Sequence, residues 1–436
     1  MGVQVAERSH VAAPIARASI ERRAPAVTTL GAAAAVVLIP VWWHLTLVDP
    51  HIENVTAVFS TVGVYPSDVC LLIVAAGALR GSNRLGRAML LPAAALLSVA
   101  VAIDRLLAAS VALHLVLLTA AGLAIRVRGA SSTWITSALV TAAALESVLA
   151  VAQFVTQQPL VPAWLGLPWL PGPDVSVGGT PVVLDAAGQR LFRGFGTFPH
   201  PNVLGGYLAL ALVALPLLPR RCWPVALVLV AGLVVTFSRT SWLGAALGVS
   251  MWLVAANAPR IRKGAVVVGS LIALGALLAS PVGPTIAGRI SPWSGNALER
   301  GSIGNRLQLD LDGLAEARAH LPFGVGAGNV GLAVVRDGFQ VGWGEPTPNV
   351  ALLIATELGL PGLVAAFTLA AAVIGVASRR GATGAPLLAV CSAVAVLAML
   401  DHYLWSMPPG RVMAWVPLAL VAAQRHTRSQ RQALPR

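Results

Sequence analysis

The chain has 436 residues, of which 57% are hydrophobic and only 11% charged, and its formal net charge is +13. Roughly a quarter of the residues of a soluble domain are charged; at less than half that share, too little polar surface remains to coat a particle in water, so a soluble globular fold is excluded. The positive charge is accompanied by no basic-aromatic patch and no soluble domain, which excludes nucleic acid as its partner and leaves membrane orientation as its meaning.

Apolar runs recur near 28–47, 62–79, 88–103, 106–125, 132–155, 203–219, 223–237, 241–257, 264–279, 349–378, 385–400 and 411–424. They predict an all-α polytopic membrane protein of about 12 transmembrane helices embedded in a lipid bilayer. The first run lacks a small-residue cleavage context and reads as an anchor rather than a signal peptide. Residues 1–27 form a basic cytoplasmic segment, 28–424 a single polytopic transmembrane domain, and 425–436 a basic cytoplasmic tail. With both termini inside, 20 of the 30 basic residues fall in inward segments, among them Arg220-Arg221, Arg260-Ile261-Arg262-Lys263 and Arg379-Arg380. That asymmetry is the positive-inside pattern.

Two outward loops are long, 156–202 and 280–348, and long loops are often functional. The first is rich in Pro and Trp (Pro159, Pro162, Trp164, Pro168, Trp169, Pro171, Pro173) and suits an irregular lid at the interface. The second contains an amphipathic helix over Asn305 to His320, with Leu307, Leu311 and Leu314 on one face and an Arg306–Asp310 pair on another. The later span should kink at Leu360–Pro361. Cys70, Cys222 and Cys391 lie far apart and match no metal-ligand spacing.

Against the inward bias stand the outward arginines Arg193, Arg239, Arg289, Arg300, Arg306, Arg318 and Arg336. Arg239 interrupts an apolar stretch, where a charge is costly unless it snorkels to the interface or faces a wet cavity. Arg193 lies in Phe192-Arg193-Gly194-Phe195-Gly196-Thr197-Phe198-Pro199-His200-Pro201-Asn202, polar groups clustered just before a helix. The planar guanidinium binds phosphate bidentately and keeps its charge, so several around one membrane-facing cavity suit a lipid-linked diphosphate. Asp310-Leu311-Asp312 has the D-x-D pattern, but carboxylates at i,i+2 on a helix point apart and read as surface charge. The glycines from Gly324 to Gly331 suit either an anion nest or a close-packed turn.

Taken in order, four pieces resemble the O-antigen ligase and polymerase family, the Wzy/ligase-like membrane glycosyltransferases of GT-C type. They are Gly196-Thr197-Phe198-Pro199-His200-Pro201-Asn202 before a helix, Ser238-Arg239 after an apolar run, Asn305-Arg306 opening a helix that ends in Leu321-Pro322-Phe323-Gly324-Val325-Gly326-Ala327-Gly328-Asn329, and Pro348-Asn349 leading to Glu357-Leu358-Gly359-Leu360-Pro361-Gly362-Leu363. The resemblance implies an inner-membrane enzyme working at the periplasmic face. It would move a glycan from an undecaprenyl-diphosphate carrier to the hydroxyl of a glycan, lipid or protein acceptor, with neither metal nor cofactor. Arg193, Arg239 and Arg306 would bind the diphosphate, with Arg239 also stabilising the leaving group; Asn202, Asn349, Glu357, Asp401 and His402 would support the site.

In the ligases a His before the Asn of the last motif serves as general base; here that position is Pro348, which accepts no proton. The replacements are Glu345, then His200, then the Asp401-His402 pair. Two other readings stay open. One is a transporter or flippase for a lipid-linked substrate; the other is an inert member of the family.

Overall fold

The structure is a computed structural model and describes residues 12–48, 51–52, 55–56, 61–76, 86–161, 182–185, 188–219, 223–257, 259, 264, 278–279, 283–290, 297–339 and 344–432. In chain order the elements are α1 (Ala12–Val37), β1 (Leu45–Val48), β2 (His51–Ile52), β3 (Val55–Thr56), β4 (Val62–Val64), α2 (Pro66–Ala76), α3 (Leu90–Ser98), α4 (Arg105–Arg128), α5 (Ser132–Thr156), β5 (Val182–Leu184), β6 (Arg190–Phe192), α6 (Pro201–Ala214), α7 (Trp223–Val235), α8 (Arg239–Ala255), α9 (Gly283–Ile290), α10 (Ala297–His320), α11 (Val330–Arg336), α12 (Val350–Ser378), α13 (Ala385–Leu400), α14 (Tyr403–Ser406) and α15 (Pro408–Gln432). Three antiparallel two-stranded ribbons, β1–β4, β2–β3 and β5–β6, are the only sheets among the described residues.

The helices begin where a side chain can accept their unpaired first amides. The Asp104 carboxylate accepts from the amides of Leu106 and Leu107 to open α4, and Gly129 closes it in the left-handed conformation. Ser131 opens α5, Ser238 opens α8 and Asn349 opens α12 in the same way. Each such cap is worth about 1 kcal/mol, so the ends of these helices, where the polar chemistry gathers, are set by local sequence.

Packing then arranges the helices. α8 lies against α13 and α6 packs on both, while α4 is held by α2, α3 and α15, and α5 by α1 and α7. At the α6–α8 crossing Gly205 lets the backbones approach; a Cβ there would come within 2.6 Å of Ser241 Oγ. Large apolar side chains nevertheless remain exposed on the outer helix faces, including Leu113, Leu145, Val155, Leu227, Val364 and Phe367. Only 17% of the most apolar stretch of α12 is buried inside the protein. Apolar surface on that scale calls for lipid as the solvent.

Four helical stretches are long and apolar enough to cross a bilayer: Arg105–Arg128, Ser132–Thr156, Val350–Ser378 and Gly381–Leu400. Five shorter apolar helices accompany them. The described residues therefore support an all-α membrane protein without reaching twelve full spans. The predicted run 28–47 ends early: α1 stops at Val37, and Leu45–Val48 pairs with Val62–Val64 instead. The predicted span 264–279 and the tail 433–436 lie largely or wholly outside the described residues, as do Cys222, Arg220, Arg221, Arg260, Arg262, Lys263 and Pro162 to Pro173 of the first loop.

The second loop contains the expected helix as α10, but its faces are reversed. Leu307, Leu311 and Leu314 are exposed, whereas Leu309, Asp312, Gly313, Glu316 and Ala317 are buried. Arg306 reaches Asp401 rather than pairing with Asp310, whose carboxylate accepts from the Thr347 hydroxyl at 2.5 Å. Packing against the start of α12 decides this, since polar partners there outbid the leucine stripe.

α12 is broken, as the Pro361 pattern suggests, with the non-helical residue at Gly359 (φ 63°, ψ −157°). This region of φ/ψ space is essentially restricted to glycine, and a Cβ at Gly359 would overlap the Pro322 carbonyl. Gly359→Ala is therefore expected to destabilise the protein by about 3 kcal/mol, read as a lower thermal unfolding midpoint in detergent; an unchanged midpoint would contradict the strained-turn assignment.

Candidate active site

The turn between α7 and α8 comprises Thr236, Phe237 and Ser238, all buried. Phe237 is left-handed (φ 48°), a conformation that costs an L-residue about 1–2 kcal/mol. Burial of its ring against Phe154 and Trp242 offsets that cost. The turn directs two carbonyls at two arginines. The Thr236 carbonyl accepts from Arg193 Nε at 2.8 Å, and the Phe237 carbonyl accepts from Arg289 Nε at 3.1 Å.

From Arg193 a polar chain crosses the end of the bundle. Arg193 Nη2 donates to Asn202 Oδ1 at 2.9 Å, and Asn202 Nδ2 donates to Asp401 Oδ2 at 3.1 Å. Arg306 Nη2 approaches the same Asp401 oxygen at 3.4 Å, while its Nη1 donates to the Leu400 carbonyl at 2.5 Å. Asn202 lies in the first turn of α6, Asp401 is the C-cap of α13, and Arg306 comes from α10. The Asn202 carbonyl also accepts from Ser241 Oγ at 3.4 Å, which ties in the first turn of α8, where Arg239 is the first residue and half-buried. Two of these arginines thus rest on the carboxyl ends of α7 and α13, where exposed carbonyls and the helix dipole favour cations.

Two imidazoles border this chain. His200 is the N-cap of α6, and its Nδ1 accepts from the Asn202 amide at 3.1 Å. The neutral ring therefore carries its proton on Nε2 and offers a donor there. His200 lies at the exposed start of α6. Desolvation by the protein around it, and then the positive field of Arg193, Arg306, His402 and Arg289, holds its pKa well below the ordinary imidazole value.

His402 is arranged the other way. Ser406 Oγ lies 2.7 Å from His402 Nδ1 and 3.2 Å from the His402 carbonyl; if the hydroxyl donates to the carbonyl, it accepts from Nδ1–H and the lone pair of the neutral ring lies on Nε2. Burial lowers the His402 pKa; the carboxylates of Asp401 and Glu345 oppose the shift and Arg306 adds to it. Asp401 does not orient this ring, because its Oδ1 accepts from the His402 backbone amide at 3.0 Å.

The remaining sequence candidates take other places. Glu345 is exposed and lies within the electrostatic reach of His402. Asn349 caps α12 through Leu352 N at 3.1 Å, and Pro348 beside it is buried. Glu357 sits in a packed layer, where its Oε2 accepts from Gly328 N and Trp405 Nε1, each at 2.7 Å. The glycine segment is a packed turn rather than an open nest: Val325 N and Gly326 N go to the Thr356 and Glu357 carbonyls, and Ala327 N to Ser98 Oγ. Asp310 and Asp312 point apart, the latter accepting from Gln308 Nε2 at 2.7 Å.

Sequence reasoning missed two polar groups beneath the site. Gln153 accepts from the amides of Phe195 and Gly196 and donates to the Gly196 carbonyl, while Glu146 accepts from Thr197 N and Oγ1, so α5 holds the backbone that carries Arg193. Asp68, His114 and Arg411 form a second group, with Arg411 Nε donating to His114 Nδ1 at 2.9 Å and His114 Nε2 standing 3.2 Å from Asp68. A narrow cavity lined by Arg411, Glu357, Trp405 and Ser406 lies between that group and the residue that orients His402. Polar residues interrupting apolar runs were the available signal for both.

The O-antigen ligase family model matches residues 224–367, about a third of the chain. The matched stretch contains Arg239, Arg306, Asn349 and Glu357 and omits Arg193, His200, Asn202, Asp401 and His402. No curated protein matches the chain.

The cap contact yields a test of His200 that is independent of any reaction. His200→Ala is expected to cost about 1 kcal/mol and His200→Ser only a few tenths, because serine replaces the lost acceptor. Equal thermal midpoints for the two variants would contradict the capping geometry.

Proposed function

We propose, from the premise that residues 224–367 form an O-antigen ligase domain, that this membrane protein is a glycosyltransferase acting on a polyprenyl-diphosphate-linked glycan at the outer face. The observation that carries the reading is the chain Arg193–Asn202–Asp401–Arg306, which fixes two guanidiniums at one end of the bundle. Arg289 bonds the same α7–α8 turn as Arg193, Arg239 opens α8 directly after that turn, and Asp401 is the carboxylate paired within the chain. The surplus positive charge suits a diphosphate.

In the proposed step the acceptor hydroxyl attacks the anomeric carbon of the donor sugar. The bond from that carbon to the phosphate oxygen breaks, and the carrier diphosphate departs with the electron pair. The arginines stabilise the charge growing on that oxygen, and such preorganised electrostatic contacts are worth most where water is excluded. His200 contributes its Nε2–H as a further donor. The hydroxyl proton goes to Nε2 of His402.

This assigns the base role, which Pro348 leaves vacant, to His402 ahead of Glu345 and His200. A ring whose pKa is lowered by burial suits a base that is neutral at physiological pH; in this proposal Ser406 accepts from Nδ1–H, which puts the lone pair on Nε2, whereas His200 carries its proton there. The proposal needs no activated Glu345. The transporter reading draws on the buried Asp68–His114–Arg411 group, and substrate accumulation in vesicles without covalent change would select it.

The test supplies a lipid-linked glycan and acceptor to the purified protein in liposomes. Arg193→Ala and Arg306→Ala are each expected to lower turnover about 100- to 1,000-fold; full activity in both would sink the site. For His402 the neutral form is active, so kcat/KM should climb as pH rises through a pKa below 6.5 and stay flat above it. His402→Gln should lower the rate about 100-fold or more and abolish that acid limb. An acid limb retained in His402→Gln would transfer the role to another group.

A further inference from the structure

Apart from the arginine chain, one cluster in the second outer loop has a charge arrangement that no part of the proposed reaction uses. Glu316 and His320 are one turn apart on α10, and Asp337 follows the last residue of α11. His320 Nε2 stands 3.0 Å from Glu316 Oε1 and 2.9 Å from Asp337 Oδ2. One ligand atom from each residue falls within 4.8 Å of the other two. Two carboxylates and an imidazole nitrogen therefore crowd one point.

Glu316 makes this more than a surface cluster. Its side chain is 0% exposed, and neither carboxylate oxygen accepts a hydrogen bond. Burying a carboxylate without donors costs several kcal/mol unless a cation compensates. The surroundings supply little. Arg336 donates to Asp337 through Nε at 2.6 Å and Nη2 at 2.9 Å, and the same Nη2 stands 3.5 Å from His320 Nε2. Among the described residues His320 is the basic group within ion-pair distance of Glu316, and its one Nε2 faces carboxylates on two different elements.

We propose that Glu316, His320 and Asp337 bind a divalent cation of the Zn2+ or Mn2+ class that fastens α10 to the end of α11. One such ion accepts a lone pair from all three ligand atoms at once, which a single N–H cannot do. Imidazole favours these metals over Ca2+ or Mg2+, which take oxygen ligands. Three protein ligands leave further positions for water. Arg336 Nε on Asp337 Oδ1 orients that carboxylate, as outer-shell partners of metal-bound carboxylates do, while its Nη2, beside Asp337 Oδ2 and His320 Nε2, gives way to the ion. The role is structural: Arg306 lies ten residues before Glu316 on the same helix, about 15 Å away along the axis. Fixing the carboxyl half of α10 steadies the half that carries Arg306.

The experiment uses the full-length protein in detergent, stripped with chelator and titrated with Zn2+ and with Mn2+ by calorimetry, with bound metal counted after dialysis. One equivalent is expected to bind and to raise the thermal midpoint. His320→Asn and Asp337→Asn should each weaken binding about 100-fold or more, since losing even an outer-shell partner costs ten- to a hundredfold. Circular dichroism of the metal-free variants separates loss of the site from loss of the fold. Should either fail to fold, Glu316→Gln, which keeps the side-chain shape, serves as the second variant with the same expected loss. Absence of binding, or equal binding by wild type and folded variants, overturns the proposal. So does a midpoint indifferent to metal but falling as His320 loses its proton, which would make the cluster a salt-linked latch.

Discussion

The hydrogen bond from Asn202 to Asp401 is the contact on which the candidate site depends. It joins the first turn of α6 to the carboxyl end of α13, and each residue in turn orients an arginine from a third element. Without it, the Arg193–Asn202 and Arg306–Asp401 contacts would be two separate pairs with nothing fixing one against the other. The bond also explains why a carboxylate sits among so many cations. Asp401 pairs with Arg306 and reaches Arg193 only through the Asn202 amide, so one carboxylate serves two guanidiniums and their geometry is fixed. Amide and carboxylate together act as a spacer between like charges, which would otherwise repel across the mouth.

The same economy recurs around it. Helix carboxyl ends carry unsatisfied carbonyls that must find donors. Here the turn after α7 and the end of α13 find them in Arg193, Arg289 and Arg306. The interaction that finishes each helix is also the one that aims the arginine. The two histidines follow a related rule. His200 caps α6 and so loses its accepting Nδ1 to the backbone, while the Nδ1 of His402 is engaged by the Ser406 hydroxyl. In the proposed reaction the two side chains then take opposite roles, set by a backbone amide in one case and a hydroxyl in the other.

Much of this was legible in the residues and some was not. Low charge and long apolar runs announced the membrane and the helices, because hydration energetics act residue by residue. The arginines expected on the outer side and the Gly196–Asn202 segment pointed to the candidate site, since charge near lipid needs a reason. Capping residues such as Asp104, Ser131 and Asn349 were readable locally, and Pro361 announced a break that falls at Gly359. What could not be read were partners distant in sequence. Arg306 looked like an i,i+4 partner of Asp310, yet Asp401, 95 residues away, competes successfully for it. The leucine face of α10 looked like the buried one, yet its polar face packs against the start of α12. The β1–β4 ribbon, which ends α1 early, likewise depends on pairing across the chain. Tautomers, too, have no trace in sequence, so His200 and His402 could not be told apart before their neighbours were known.

The claim that the two arginines act as one unit is tested most directly by a double-mutant cycle on donor binding. Affinity for a polyprenyl diphosphate in liposomes would be measured for wild type, Arg193→Ala, Arg306→Ala and the double variant, with lipid composition held fixed. Coupling through Asn202 and Asp401 should appear as an interaction energy of about 0.5 kcal/mol or more, the range found for residues in one hydrogen-bonded network. Strictly additive losses, or no loss of affinity in either single variant, would contradict it.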